Sequence, residues 1–169
     1  MNMIRHWKAR SHYLLVSIAV FLGDQITKRI VSSGMEQHQS IDIIPEFLNI
    51  TYIHNRGAVF GLGSNVTSPY LSWGLSILSI LSLAIILTYF LRLNTRNPKL
   101  YTGLALVLGG AIGNLFDRLV SGYVVDFIDL HWFEYHWPFF NVADLSICVG
   151  VGLLLLSMSI KAEEPEPVV

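Results

Sequence analysis

The chain has 169 residues, of which 53% are hydrophobic and 14% charged, with a mean hydropathy of +0.53 and a formal net charge of -1. Soluble domains carry about 25% charged residues, so this composition argues against a water-wetted globule, and it excludes a disordered chain, a disulfide scaffold and a coiled coil. The near-neutral charge offers no basic field for nucleic acid. A small integral membrane protein remains, since four helical spans of about 20 residues each would take roughly half of the chain.

The N-terminal tail carries Arg5, Lys8 and Arg10, and an apolar segment over residues 13–31 follows it. That order also fits a secretory signal. No small-x-small cleavage site follows, because the chain reads Phe21-Leu22-Gly23-Asp24-Gln25, so a retained membrane helix is expected. Asp24 and Lys28 share one face of it in the favourable acid-first order. A local ion pair that lowers the insertion cost and a direct substrate role both fit this spacing.

Residues 41–53 are rich in β-branched and aromatic side chains and predict short strands, which Gly57, Gly61 and Gly63 then break. His54 reads as a loop hydrogen-bonder. A second apolar segment covers 69–91. A glycine-rich third covers 100–119, where Ala105, Gly109 and Gly113 recur every four residues as a packing seam for another helix. Asp117 is next on that stripe. A neighbouring stripe holds Gly110, Asn114 and Arg118. The forked Arg118 guanidinium could brace a loop carbonyl, the simpler role, or hold a carboxylate.

An aromatic stretch follows, with Tyr123, Phe127, Trp132, Phe133, Tyr135, Trp137, Phe139 and Phe140. Such rings favour a membrane interface, so both outer loops are expected on the bilayer surface, with His131 and His136 as interfacial residues. The fourth apolar segment covers 141–160 and contains the single cysteine, Cys148, expected as a small buried thiol. The tail, 163–169, is acidic, contains proline and reads as disordered, leaving one membrane domain over 1–162. With four spans, Arg5, Lys8 and Arg10, then Arg92, Arg96 and Lys99, then Lys161 all fall on one side. The positive-inside rule makes that side cytoplasmic, with both termini. Lys28, Arg29, Arg56 and Arg118 lie on the opposite side, a hint of local work.

Asp126 and Asp144 are the sharpest candidates for chemistry. Asp126 stands in Gly122-Tyr123-Val124-Val125-Asp126-Phe127, among large apolar residues that seldom surround an exposed acid. Asp144 follows Asn141-Val142-Ala143. Asn141 suits a helix N-cap, which makes Asp144 the third helical residue. Capping alone accounts for Asp144, but it does not account for Asp126. Two close carboxyl groups can share one proton, because both cannot ionise cheaply. One then takes a proton from water while the other donates to a carbonyl oxygen. Asp144, at a helix N-terminus, is expected as the more acidic partner, and Asp126 as the holder of the proton.

Other chemistries fit poorly. His131-Trp132-Phe133-Glu134-Tyr135-His136 matches no zinc-protease helix motif, and neither a GxSxG elbow nor a glycine-rich phosphate cradle occurs. An ion carrier would need polar groups continuing to the cytoplasmic side, where the second and fourth segments offer mainly serine.

Five ordered blocks resemble the bacterial lipoprotein signal peptidases, or signal peptidase II. They are Asp24-Gln25-Ile26-Thr27-Lys28, His54-Asn55-Arg56-Gly57-Ala58-Val59-Phe60, the run from Gly109 to Arg118, Val125-Asp126-Phe127, and Phe140-Asn141-Val142-Ala143-Asp144. One departure is Val59, where that family commonly has alanine. The resemblance implies an aspartic intramembrane peptidase of the bacterial inner membrane. It would remove the signal peptide from diacylglyceryl-modified prolipoproteins, cutting just before the lipidated cysteine. It implies Asp126 and Asp144 as the catalytic dyad, with Asp24, Lys28, Asn55, Gly57, Asn114, Arg118 and Asn141 shaping the site. It implies no metal or cofactor, and inhibition by cyclic peptide antibiotics such as globomycin. The implied fold is all-α: four transmembrane helices with a small extracytoplasmic β-cradle and an interfacial helix.

Overall fold

The computed structural model describes residues 2–57, 69–93 and 97–159. Four helices and four strands follow in the order α1 (Asn2–Gly34), β1 (Ser40–Ile44), β2 (Leu48–Asn55), α2 (Pro69–Arg92), α3 (Pro98–Ser121), β3 (Val124–Trp132), β4 (Tyr135–His136) and α4 (Val142–Ser159). Helix α1 outruns the apolar segment that announces it. Its 33 residues extend over about 50 Å, more than a hydrocarbon layer needs. Among the described residues, two helices are both long and apolar enough to cross a membrane: α2 over Trp73–Arg92, with mean hydropathy 2.3, and α3, with 1.4.

These two helices meet different surroundings. Along α2, Ile77, Leu78, Ile80, Leu81, Ile85 and Leu87 are all exposed, a continuous apolar face that water would penalise. Helix α3 is central instead, packed against α1, α2 and α4. Asn97 caps its start, accepting from the Lys99 and Leu100 N–H groups ahead of a helix that opens on Pro98. On the expected seam Gly109 meets α1, and two glycines off that stripe, Gly103 and Gly110, meet α4. Gly109 lies against Ser17 and Val20 of α1, while Gly103 lies against Gly150 and Leu154 of α4, and Gly110 against Ala143 and Ile147. At each contact a methyl group would collide with the facing backbone. The Ser17 hydroxyl donates to the Ala105 carbonyl at 2.8 Å beside that α1 contact.

The strands form one antiparallel sheet in the order β1-β2-β3-β4. The expected strands over 41–53 are β1 and β2. The aromatic stretch expected as a loop contains β3 and β4, because Val124-Val125-Asp126-Phe127-Ile128, rich in β-branched residues, finds a partner in β2. The sheet closes onto the helices through a cluster of Val31, Tyr52 and Phe127, with Met35, Ile50, Val125, Ile128 and Val142 around it. Gly122 makes the turn from α3 into β3. It takes φ of 78°, a left-handed value that suits glycine, and its N–H donates to the Arg118 carbonyl. Among the described residues no separate interfacial helix occurs. Ala58, Val59, Phe60, Gly61, Gly63, Arg96, Lys161 and the tail 163–169 lie outside them. Cys148 is exposed on α4 rather than buried, because no helix among the described residues covers that flank.

Candidate active site

The site forms where β3 passes over the start of α4. Asp126 is the third residue of β3, opposite Ile53, and Asn55 lies two residues further along β2 on the same face of the pleat. Phe140 is pinned to β3 by its pairing with Ile128, so Asn141 begins α4 directly beside Asp126. The caps of α4 are reciprocal. The Asp144 N–H donates to Asn141 Oδ1 at 3.0 Å, and the Asn141 N–H donates to Asp144 Oδ2 at 3.2 Å. This is the capping arrangement expected from the spacing of the two residues.

Asn141 joins the two acids. While its backbone binds Asp144, its Nδ2 donates to Asp126 Oδ1 at 2.7 Å and to Asn114 Oδ1 at 3.2 Å. Asn114 in turn donates through Nδ2 to Asp144 Oδ1 at 2.8 Å. Asn55 completes the shell, donating to Asp126 Oδ2 at 2.8 Å and accepting from the Gly57 N–H at 2.9 Å. All four carboxyl oxygens of the pair therefore accept from a fixed donor. Asp126 is 2% exposed. Burial, and next the repulsion of the Asp144 carboxylate, push its pKa up to about 7, against the lowering effect of the Asn55 and Asn141 donors.

A second tier of charges holds this shell. Lys28 bridges Asp24 at 2.8 Å and Asp117 at 2.9 Å, and donates to Asn114 Oδ1 at 2.9 Å. Asp24 is fully buried and accepts from the Ala143 N–H at 2.9 Å, so it caps α4 from a different helix. Gly113 makes room for it: a methyl group there would sit 2.6 Å from Asp24 Oδ2. Arg118 reaches the Gly57 carbonyl at 3.3 Å and the Asn114 carbonyl at 3.4 Å, so it does brace a loop carbonyl.

All nine residues singled out in the sequence thus fall into one hydrogen-bonded network. Two further members were named in the sequence without a role in the site. Asp117 binds Lys28 and also accepts from the Val125 N–H at 3.3 Å, tying α3 to the strand next to Asp126. Gln25 donates to Asp117 at 2.9 Å and to Asp24 at 3.2 Å. The position of Asp117 one turn beyond Gly113 was the available signal; Gln25 gave only its polarity beside Asp24. His54 lies outside the network, bonded to the Tyr52 hydroxyl at 2.7 Å and stacked on Tyr123. His136 pairs with Asp129 at 2.7 Å on the far side of the sheet. Among the described residues, no group of three or more His, Cys, Asp or Glu is placed to hold a metal ion.

The family model for signal peptidase II matches residues 16–160. The chain belongs to the signal peptidase II family. Relatives of similar length carry it in distant bacteria. A lipoprotein signal peptidase of Syntrophotalea carbinolica is 42% identical over 147 residues, 85% of this chain and 88% of the relative. One from Pasteurella multocida is 40% identical over 162 residues, covering 94% and 95%. Among solved structures, a bacterial membrane enzyme determined in meso at 2.3 Å resolution superposes with a TM-score of 0.83 at 32% identity, with 94% of both chains covered. A second, at 1.9 Å resolution, gives 0.75 at 34% identity, covering 88% of this chain and 92% of the other. A signal peptidase II is a peptidase, so the network described above belongs to a membrane hydrolase that processes lipoprotein precursors.

Proposed function

We propose that this signal peptidase II is an aspartic endopeptidase whose catalytic pair is Asp126 and Asp144. Its substrate is a prolipoprotein whose cysteine already carries diacylglyceryl, and the cut falls just before that cysteine. The observation that carries the reading is the bridging of the two acids by one asparagine, Asn141.

In this mechanism a water molecule lies between the two carboxyl groups, with the scissile carbonyl above it. Asp144, ionised at the start of α4 where the helix dipole favours negative charge, takes a proton from the water as its oxygen bonds to the carbonyl carbon. Asp126, raised to about 7 by burial and by Asp144, holds the shared proton and donates it to the carbonyl oxygen. The tetrahedral diol then collapses. The C–N bond breaks, the amine leaves with the proton held by Asp144, and Asp126 recovers its proton from the diol. No covalent enzyme intermediate forms. Asn55, Asn114 and Asn141 keep both acids in place, while Asp24, Lys28 and Arg118 hold the asparagines and the Gly57 carbonyl.

The same reading makes α1, α2, α3 and α4 four spans of one domain, with both termini cytoplasmic and the sheet at the outer face of the inner membrane. The signal peptide enters from the lipid. Cyclic peptide antibiotics such as globomycin compete for the same cleft. The test is cleavage of a diacylglyceryl-modified prolipoprotein by purified protein and by Asp126→Asn and Asp144→Asn. Both variants are expected to keep the wild-type circular dichroism spectrum and to lose at least about 10³-fold in kcat. A folded variant that cleaves within tenfold of wild type overturns the assignment.

A further inference from the structure

Away from the catalytic pair, a polar cluster crosses all four strands of the sheet. Asp129 of β3 is buried. Its Oδ1 meets His136 Nδ1 of β4 at 2.7 Å, and its Oδ2 accepts from the Thr51 hydroxyl of β2 at 3.3 Å. With the Thr51 proton engaged there, the Ser40 hydroxyl of β1 donates to Thr51 at 2.8 Å. Beside this row stands Asn49, in the amide orientation that satisfies both its ends. It donates to Asp42 Oδ1 at 2.7 Å and accepts from His131 Nε2 at 3.2 Å. His131 therefore carries its proton on Nε2, and its Nδ1 is a buried atom with no hydrogen-bond partner. The His131 and His136 rings stack, with centroids 4.9 Å and planes 18° apart. The charged groups around them are acids: Asp129 from β3, Asp42 from β1 behind Asn49, and exposed Glu46 and Glu134 in the two turns. At this register β2 contributes the neutral Asn49 and Thr51.

We infer that His131, His136 and Asp129 form a proton-operated latch on the β3–β4 hairpin, shut while the two rings share no more than one added proton and released when each carries one. Imidazole is the side chain that changes charge between about pH 5 and 8. The first added proton belongs on His136. Its Nδ1–H faces the Asp129 carboxylate, and the half-exposed ring offers its other nitrogen to water. The second must go to His131 Nδ1, where the new N–H finds no acceptor and its charge stands one stacking distance from another. Opening the hairpin relieves both. The hairpin is lightly held: β4 is two residues long, the turn puts Phe133 at φ of 51°, and Trp132, Phe133, Tyr135 and Trp137 are exposed. It also leads into the site. Trp137 follows His136 and, with Phe140, lines a cavity of about 160 Å3 beside Asp144, just ahead of Asn141. Release therefore shifts a wall of that cavity, a consequence that rests on the catalytic reading given above.

The test follows amide hydrogen exchange of the full chain in micelles at about pH 7.5 and about pH 5.5, corrected for the intrinsic rate at each pH. The Trp137 N–H, which donates to the Leu130 carbonyl at 2.7 Å, reports on the hairpin. The Tyr52 N–H, which donates to the Gln39 carbonyl at 3.0 Å, reports on the other half of the sheet. In the wild type, Trp137 protection should fall about tenfold or more at the lower pH, the effect of one linked proton over one unit, while Tyr52 keeps its protection. His131→Gln cannot take the second proton and keeps a donor for Asn49, so its Trp137 protection should change less than about twofold. His131→Phe should behave alike and stands in if the first variant folds poorly. Equal falls in wild type and variants overturn the latch, and so does a flat wild-type profile or a fall shared by Tyr52. On a lipidated prolipopeptide, kcat/KM of His131→Gln should match wild type at the higher pH. At the lower pH it should exceed wild type by about threefold or more, as the shut fraction of the wild type drops. Identical pH profiles overturn the action on the cavity beside Asp144. Failure of the catalytic reading is seen separately, in cleavage by Asp126→Asn or Asp144→Asn.

Discussion

The Lys28 ammonium donates to Asn114 Oδ1 at 2.9 Å, and this contact decides which end of the Asn114 amide faces Asp144. An ammonium group can only donate. The amide oxygen must therefore turn to Lys28, which leaves Nδ2 for the Asp144 carboxylate, 2.8 Å away. The other two amides obey the same logic. The Asp144 N–H fixes the Asn141 oxygen and the Gly57 N–H fixes the Asn55 oxygen, so both amino groups point at Asp126.

Lys28→Gln removes the cation between two buried carboxylates. Breaking a buried pair in this way costs about 3–5 kcal/mol, so unfolding in micelles should move by that amount. Adding Asp117→Asn takes away one of the stranded charges. The double variant should then be more stable than the sum of the two single losses by at least about 1 kcal/mol. Strict additivity would show that the 2.9 Å ion pair contributes no coupling.

The pH profile follows from Asp126. Its folded-state pKa, about 7, lies above the ordinary carboxylate value of 3.8, so the folded protein binds more protons than the unfolded chain between these values. The stability this carboxyl contributes is fully present below about 3.8 and is lost as pH rises through about 7. Catalysis that needs the protonated acid should fall on the same alkaline limb, read from kcat/KM as an apparent value for the pair. Asn55→Ala removes a donor that favours the ionised form, so the limb should move to higher pH. A shift to lower pH would contradict the assignment.

Gly110→Ala tests the contact between α3 and α4. The added methyl group would overlap the Ala143 carbonyl oxygen, which belongs to backbone and cannot swing aside. Overpacking of this kind costs about 1–3 kcal/mol, and the shift of α4 should also displace Asn141 and Asp144 and lower kcat. Gly23→Ala is the control, with nothing within 4 Å of the added methyl group. It should leave cleavage unchanged and raise the unfolding midpoint slightly, as alanine favours helix over glycine by up to about 1 kcal/mol.

Arg118→Lys keeps the charge and loses the fork. The present guanidinium reaches two carbonyls, at Gly57 and Asn114, and one ammonium on a flexible stem cannot hold both in this geometry. Release of Gly57 loosens the Asn55 oxygen that depends on its N–H. The expected result is a fall in kcat/KM of about tenfold, the worth of one charge-assisted hydrogen bond, with little change in the unfolding midpoint.

Much of this arrangement was legible in the sequence because it is local. Asn141 and Asp144 stand at cap spacing, Asp24 and Lys28 one helical turn apart, and the glycines every fourth residue. What was not legible depends on pairing at long range. The aromatic content of 123–140 points to a membrane interface, and only the presence of β2 as a partner makes Val124–Trp132 a strand. The strand matters most for the site, because it carries Asp126. Asp117 was visible on its stripe and Gln25 beside Asp24, but neither had a role, because what they do lies in a contact between α1 and α3. Cys148 was expected in the interior because apolar neighbours in sequence usually mean protein neighbours in space, and on α4 that flank faces outward instead.

The two acids belong to different bodies, one on the sheet and one on the last helix, and both come late in the chain. During translation the ribosome delivers α1, α2 and α3 before either acid, and Asp126 emerges without its counterpart. Under the proposed mechanism, competence to cut arrives only when α4 docks and Asn141 links the halves. On that mechanism, a half-made molecule is harmless to the precursors around it.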